Sequence, residues 1–293
     1  MQSALRYFVD NFPKIADWRS AVLRVATFRE AALDLEEVAA ENRRIDIGPH
    51  PKGWLSFEAV SIALSDGSIL IEDATAEIKP GERVLIMGES GAGKSTLFRA
   101  ISGLWPWGSG KIRVPKPEQM MFLPQRPYLP LGTLRAAISY PASPDTFGDA
   151  DVRAALERCG LGEFVDMLDR HERWDRSLSL GQQQRVAFAR VILHKPQWVF
   201  MDEATSALDE DNQASMLALF ENELKGASVM SIGHRPGLEE FHTRTLHIRK
   251  TEEGAILLAR PSSKRARSAK PNLGPKWIGR FRRKLRVARP QAG

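Results

Sequence analysis

The stretch 83-RVLIMGESGAGKSTLFRAISGL-104 decides how this chain is read. RVLIM is a short apolar run of the kind that forms a strand buried on both faces. It leads into GESGAGKST, where Gly88, Gly93, Lys94 and Ser95 fit the spacing G-x-x-x-x-G-K-[ST]. Glycines let such a backbone curl around phosphates, the lysine reaches the β and γ oxygens, and the serine hydroxyl meets Mg²⁺. A helical run, LFRAISGL, follows, so strand, loop and helix stand in the order the chemistry needs. Gly88, Glu89, Ser90, Gly91, Ala92, Gly93, Lys94, Ser95 and Thr96 are thus expected to line a nucleoside triphosphate site.

Further along, WVFMD (198–202) and ASVMSIG (227–233) read as buried strands that each open into a polar loop. Asp202 ends the first, the usual place for a carboxylate that holds Mg²⁺ through water. Glu203, one residue on, is able to reach an attacking water. Gln125 follows the short apolar run MMFL, and His234 follows SIG. Both fall at strand ends, where α/β sheets present ligand groups. Helical patterns dominate from about Leu134 to Leu193. Upstream, LSFEAVSIAL alternates like a half-buried strand and SDG (65–67) is a turn, so a hairpin is expected. The order predicts an α/β fold with a helical side domain.

Residues 1–45 read as helical. Phe8, Phe12, Ile15, Trp18, Val22, Val25 and Phe28 recur at spacings of three and four, and Pro13 is expected to kink or split the run. GPHPKG (48–53) is a linker signal. From Pro261 on there are 11 Lys and Arg and no acid, leaving 31 basic against 36 acidic residues elsewhere. The net charge of +6 therefore belongs to a tail, on a mildly acidic body. That Ser-, Pro- and Arg-rich tail is expected to lack a fixed fold. Within it, KWIGRFRRKLRVAR (276–289) would gather Trp277, Ile278, Phe281 and Leu285 on one helical face among seven cations. That pattern suits an anionic membrane surface, a solvated tail or a nucleic-acid arm. The lone Cys159 excludes an internal disulfide and fits a reducing compartment. No apolar run approaches the ~18 residues of a membrane span, and neither a span nor a cleavable signal is expected from these residues.

LSLGQQQR (178–185) is a second small-residue turn that opens a second helix, VAFARVIL. Ser179 offers a hydroxyl, Gly181 permits close backbone approach, and the helix that follows near Gln182 points its positive end outward. Together with GKST, the Gln125 loop, DEATSALD and the His234 loop, this turn resembles the signature of ABC ATPases. Leu180 stands where that family more often has glycine.

The resemblance implies an ABC-type P-loop NTPase core with an antiparallel β subdomain and a helical subdomain, preceded by a helical N-terminal stub. It also implies ATP and Mg²⁺, with Ser95, Gln125 and Asp202 organising the metal, Glu203 polarising water and His234 fixing it. In that family the signature loop completes the partner's site, so Ser179 and Gly181 are expected to act in trans within a head-to-tail homodimer or heterodimer.

GLWPWGSGKI, FLPQRPYLPLGTLR and SIGHRPGLEEFH narrow the resemblance to one branch. It comprises the peroxisomal very-long-chain acyl half-transporters and their bacterial vitamin B12 and peptide uptake relatives. Residues 4–28 look like the end of that branch's last transmembrane helix and the segment joining it to the ATPase, so they are expected to be the last stub of a six-helix permease. The expected division is a stub and connector (1–47), an ATP-binding domain (54–259, helical part about 126–196) and a basic tail (260–293). The expected function is an ATP-hydrolysing subunit that drives a membrane permease from the cytoplasmic face of the inner membrane. The alternatives are a soluble ATPase acting on nucleic acid, with nucleic acid the less favoured partner, and a remnant without transport. No residue is assigned to stack on adenine, since Leu64 holds the nearest position.

Overall fold

The computed structural model describes residues 2–40, 44–64, 67–235, 237–251 and 254–261. The chain opens with helix α1 (Gln2–Ala40), then strands β1 (Asp46–Pro49), β2 (Leu55–Ala63), β3 (Ile69–Ile78) and β4 (Arg83–Gly88). Next come α2 (Lys94–Ile101), β5 (Gly108–Val114), β6 (Met120–Leu123), β7 (Gly132–Thr133), α3 (Leu134–Ser139) and α4 (Asp149–Arg158). Strand β8 (His171–Glu172), α5 (Trp174–Ser177), α6 (Leu180–His194), β9 (Trp198–Asp202), α7 (Glu210–Ala218) and β10 (Ser228–Ile232) follow. The last are α8 (Leu238–Phe241), β11 (Arg244–Thr251) and β12 (Gly254–Pro261).

Ten strands form one sheet in the order β1-β5-β2-β3-β12-β11-β4-β10-β9-β6. At one end β6, β9, β10, β4 and β11 pair in parallel. At the other, β2 pairs antiparallel with β3 and β5. Strands β4, β9 and β10 are short and largely apolar, as strands covered on both faces are. Alternate residues of one strand serve two cores. Leu85, Val199, Met201 and Val229 meet the layer built from α3, α4 and α6. Val84, Ile86, Trp198, Phe200, Met230 and Ile232 meet α2 and the antiparallel strands. Phe200 marks the second core, stacked on Phe122 at 4.6 Å and edge-on to Phe98 at 5.8 Å.

The α/β architecture with an antiparallel part and a helical layer follows the sequence reading, with local differences. The hairpin forms, but β2 does not alternate cleanly. Its register with β3 and β5 slips near Ala59, which takes φ +49°, so one residue bulges out of the ladder. Of the turn expected at 65–67, Ser65 and Asp66 lie outside the described residues. The linker signal at 48–53 begins inside β1, which pairs in parallel with β5 and is clamped by Arg113 to Asp46 at 2.6 Å. Pro49 is tolerated because β1 is an edge strand, where a missing N–H costs no ladder bond. Cys159 is fully buried, and desolvation pushes its thiol up to about 12. Of the tail, residues 262–293 and the 276–289 pattern lie outside the described residues.

Pro13 does not split α1, which continues through it to Ala40. Inside a helix a proline costs one backbone bond, which a helix of this length absorbs. Residues 12–33 are exposed throughout, including Phe12, Ile15, Trp18, Val22, Val25 and Phe28. Phe8 lies among residues whose side chains are outside the description. No helix among the described residues is long and apolar enough to cross a membrane. Ile45, by contrast, is 4% exposed and belongs to the core. Deleting residues 1–43, so that Ile45 is kept, should shift the melting temperature by less than about 3 °C, since surface segments contribute little to stability. The same deletion should lower aggregation, because it removes an uncovered apolar stripe. Calorimetry and light scattering check both; a loss of cooperative unfolding would show that α1 is part of the fold.

Candidate functional site

The parallel strands end along one edge of the sheet. Register sets Ile232 beside Asp202, Ile232 beside Ile86, and Leu123 beside Met201. The loops after β4, β6, β9 and β10 therefore open side by side, where α/β sheets bind ligands. These loops carry Lys94, Gln125, Asp202 with Glu203, and His234.

The loop after β4 curls back on the lysine that follows it. Lys94 is 7% exposed, and its ammonium donates to the Gly88 carbonyl at 2.7 Å and the Glu89 carbonyl at 2.8 Å. Gly93 sits at φ +88°, and a Cβ there would lie 2.8 Å from Leu70 Cγ. Only glycine takes that backbone without strain. Gly93 has no side chain to cap α2, so first-turn N–H groups face the loop's hollow.

Two side-chain pairs span the neighbouring loops. Ser95 Oγ donates to Asp202 Oδ1 at 3.2 Å. Gln125 Nε2 donates to Glu203 Oε2 at 2.9 Å. Glu203 takes φ +50°, a left-handed conformation that costs a non-glycine residue on the order of 1 kcal/mol or more. Its N–H is held by the Ile232 carbonyl at 3.0 Å, and its own carbonyl accepts from Ser206 N at 2.9 Å. The strain turns the carboxylate toward Gln125 and away from the continuing chain.

His234 lies exposed in the loop after β10, with no hydrogen bond to the other named side chains among the described residues. Its neighbour Arg235 ties that loop to the Glu203 segment, donating to the Thr205 carbonyl at 2.6 Å and to the Leu208 carbonyl. Ser179 is exposed and caps α6, which begins at Leu180 rather than near Gln182. Its hydroxyl accepts from Gln182 N at 3.2 Å while Gln182 Oε1 accepts from Ser179 N at 2.8 Å, a capping box. A Cβ on Gly181 would lie 2.9 Å from the Ala207 carbonyl of the same chain. The glycine is thus required inside the protomer, whatever it meets outside.

Two residues at this edge escape a reading by motif alone. Arg235 is one. The other is Gln184, which is fully buried in α6, where a polar side chain needs hydrogen-bond partners.

His242 supports the β10 end of the site. It is 3% exposed, and its Nε2 meets Ser231 Oγ at 2.8 Å. Burial pulls its imidazole down to about 4. The folded state therefore resists a proton that the unfolded chain accepts near 6.5. That stability is present above the unfolded value and is lost as pH falls toward 4. Between pH 7.5 and 5 the loss should be roughly 2 kcal/mol, since each pH unit below the unfolded value costs about 1.36 kcal/mol. Urea denaturation across this range checks it, with His242→Gln expected to flatten the slope.

Comparison with known proteins agrees with this arrangement. Residues 71–206 match the family described as ABC transporter. An "Uncharacterized ABC transporter ATP-binding protein" of Haemophilus influenzae is 38% identical over 221 residues, covering 75% of this chain and 37% of that protein. The "Inner membrane ABC transporter ATP-binding protein YddA" of Escherichia coli is 30% identical over 234 residues, 80% of this chain and 40% of that one. "ATP-binding cassette sub-family D member 3" of Mus musculus is 34% identical over 202 residues, 66% of this chain and 30% of that one. The chain spans two fifths or less of each of these relatives. The sub-family D match agrees with the branch that the sequence resembles. With the glycine-rich Lys94 loop and the Asp202–Glu203 strand end at one sheet edge, the chain belongs to the ABC transporter family, of which it carries the ATP-binding domain.

Proposed function

We propose that this domain hydrolyses ATP with Mg²⁺ and couples the cycle to transport through a membrane permease, from the cytoplasmic face of the membrane. The observation that carries the reading is the double pairing of Ser95 with Asp202 and Gln125 with Glu203 beside the Lys94 loop. Lys94 and the N–H groups of Gly91 to Thr96 bind the phosphates, since cations and a helix N-terminus both favour anions. Ser95, Asp202 and Gln125 are hard oxygen donors that suit Mg²⁺, which keeps most of its ligands as phosphate and water. Bound there, the ion offsets charge on the transferred phosphoryl group.

Glu203 accepts the proton of the attacking water, and Gln125 holds the carboxylate that does so. His234 orients that water from the β10 loop. Ser179 and Gly181 complete the site of a second protomer, so the assembly is a head-to-tail dimer with two nucleotides between the domains. The N-terminal helix α1 is the connector to the permease, its exposed apolar stripe being covered there.

Specific activity should accordingly rise with protein concentration and vanish on chelating Mg²⁺. A titration of ATPase rate per protomer over several decades of concentration tests this. Activity that is flat with dilution would rule out the shared site.

A further inference from the structure

α6 does more than present Ser179. Five residues past that cap, Gln184 is 0% exposed and spends its whole amide on the catalytic edge of its own chain. Nε2 donates to the Gln125 carbonyl at 2.8 Å and Ser206 Oγ at 3.2 Å, with the Glu203 carbonyl at 3.4 Å. Oε1 accepts from the Ala207 N–H at 3.0 Å. An N–H can only donate, so this last bond fixes which end of the amide is oxygen. Further along the same helix, Arg190 donates to the Tyr128 carbonyl at 2.8 Å and the Ala137 carbonyl at 2.7 Å. The segment from Gln125 to Tyr128 is therefore held to α6 at both ends, and the Glu203–Ala207 turn is held to it in the middle.

We propose that Gln184 is a positioning residue that locks Gln125 and the Glu203 turn to α6, so that an anion at the helix cap and the carboxylate of the same chain respond as one body. The cap at Ser179 and the Gln125–Glu203 pair share no hydrogen bond of their own among the described residues, so this amide is the short connection between them. Buried polar groups of this kind hold geometry because breaking one leaves its partners unsatisfied. The proposal rests on the functional reading above, in which the cap meets a partner's nucleotide and Glu203 acts in its own site.

The test compares the parent chain with Gln184→Met, which keeps the volume and removes every hydrogen bond, and with Gln184→Glu. In the nucleotide-free protein, amide exchange in segment 203–207, where Glu203, Ser206 and Ala207 donate hydrogen bonds, should quicken by about tenfold in Gln184→Met, because local opening is released there. Exchange over 83–101 should stay unchanged. With ATP and Mg²⁺, kcat should fall about ten- to a hundredfold, as small misplacements of reacting groups do, while KM moves less than about twofold. Cooperativity in ATP should weaken in parallel. In Gln184→Glu the carboxyl still accepts from Ala207 but meets the Gln125 carbonyl as a second acceptor. Its kcat relative to the parent should recover from pH 8 to pH 6, as a protonated carboxyl donates again. Unchanged exchange at 203–207, or equal losses in kcat and nucleotide affinity, would overturn the proposal. Should Gln184→Met fail to fold, the pH profile of Gln184→Glu decides, and a flat profile counts against it. A parent that hydrolyses no ATP would instead defeat the functional reading, and the exchange result would still stand or fall by itself.

Discussion

Glu203→Gln should bind ATP as tightly as the parent and hydrolyse it about 10² to 10⁴ times more slowly, the range a general base contributes. The proposed phosphate loop lies between β4 and α2, and Glu203 lies outside it. The amide that replaces the carboxylate can still bond to Gln125, so the loop geometry survives. What disappears is the acceptor for the proton of water. Nucleotide stays bound, and two protomers closed over it should accumulate as an ATP-held dimer. Sedimentation with and without ATP reads that dimer, and single-turnover rates read the chemistry. Hydrolysis at the parent rate would remove Glu203 from its role.

How much of this is legible in the sequence varies by element. The strand-loop-helix at 83–104 is readable because three separate requirements coincide there: an apolar strand, glycines at fixed offsets and a helix after the lysine. Asp202 and Glu203 are readable for a similar reason, at the end of a run with four buried residues. The pairing of Gln125 with Glu203 is not, since 78 positions separate them and only the sheet order brings β6 beside β9. Pro13 shows a local rule losing to length: one missing hydrogen bond does not divide a 39-residue helix. Pro49 shows the reverse, a linker signal absorbed into a sheet edge because edge strands tolerate proline. The bulge at Ala59 leaves the alternation in β2 imperfect, and a positive φ at alanine has no sequence signal. Gly181 reads as a place for a partner's approach, and the sequence does not show that a Cβ there would also meet the Ala207 carbonyl of its own chain. Gln184 lies inside the quoted motif, but its role escapes such a reading because its partners Gln125 and Ala207 are 59 and 23 positions away.

Lys94→Ala should weaken ATP binding by about 10- to 100-fold, since hydrogen bonds to a charged group contribute on the order of 1.5–3 kcal/mol. Its burial adds to the loss. The carbonyls of Gly88 and Glu89 lose a donor, and the loop loses the cation around which it curls. The rate should fall with the affinity, because the same ammonium faces charge that grows on the phosphoryl oxygens during transfer. Equilibrium binding of a fluorescent ATP analogue, set beside the multiple-turnover rate, separates the two effects. Binding within twofold of the parent would contradict the geometry of this loop.

In the proposed function each nucleotide site is built from two chains, with the Lys94 loop and Glu203 from one and Ser179 from the other. Mixing two defective proteins tests this most directly. Lys94→Ala disables the loop and keeps the signature turn. Ser179→Asp keeps the helix cap, since Asp caps as well as Ser, and sets a negative charge against the partner's phosphate. Each alone should be inactive, because every site in either homodimer lacks one half. In the mixed dimer one site joins the sound loop of the second protein to the sound signature of the first. The predicted result is ATPase activity that reappears on mixing and peaks near equal amounts. Activity that stays at the sum of the two separate proteins at every ratio would contradict a site shared between chains.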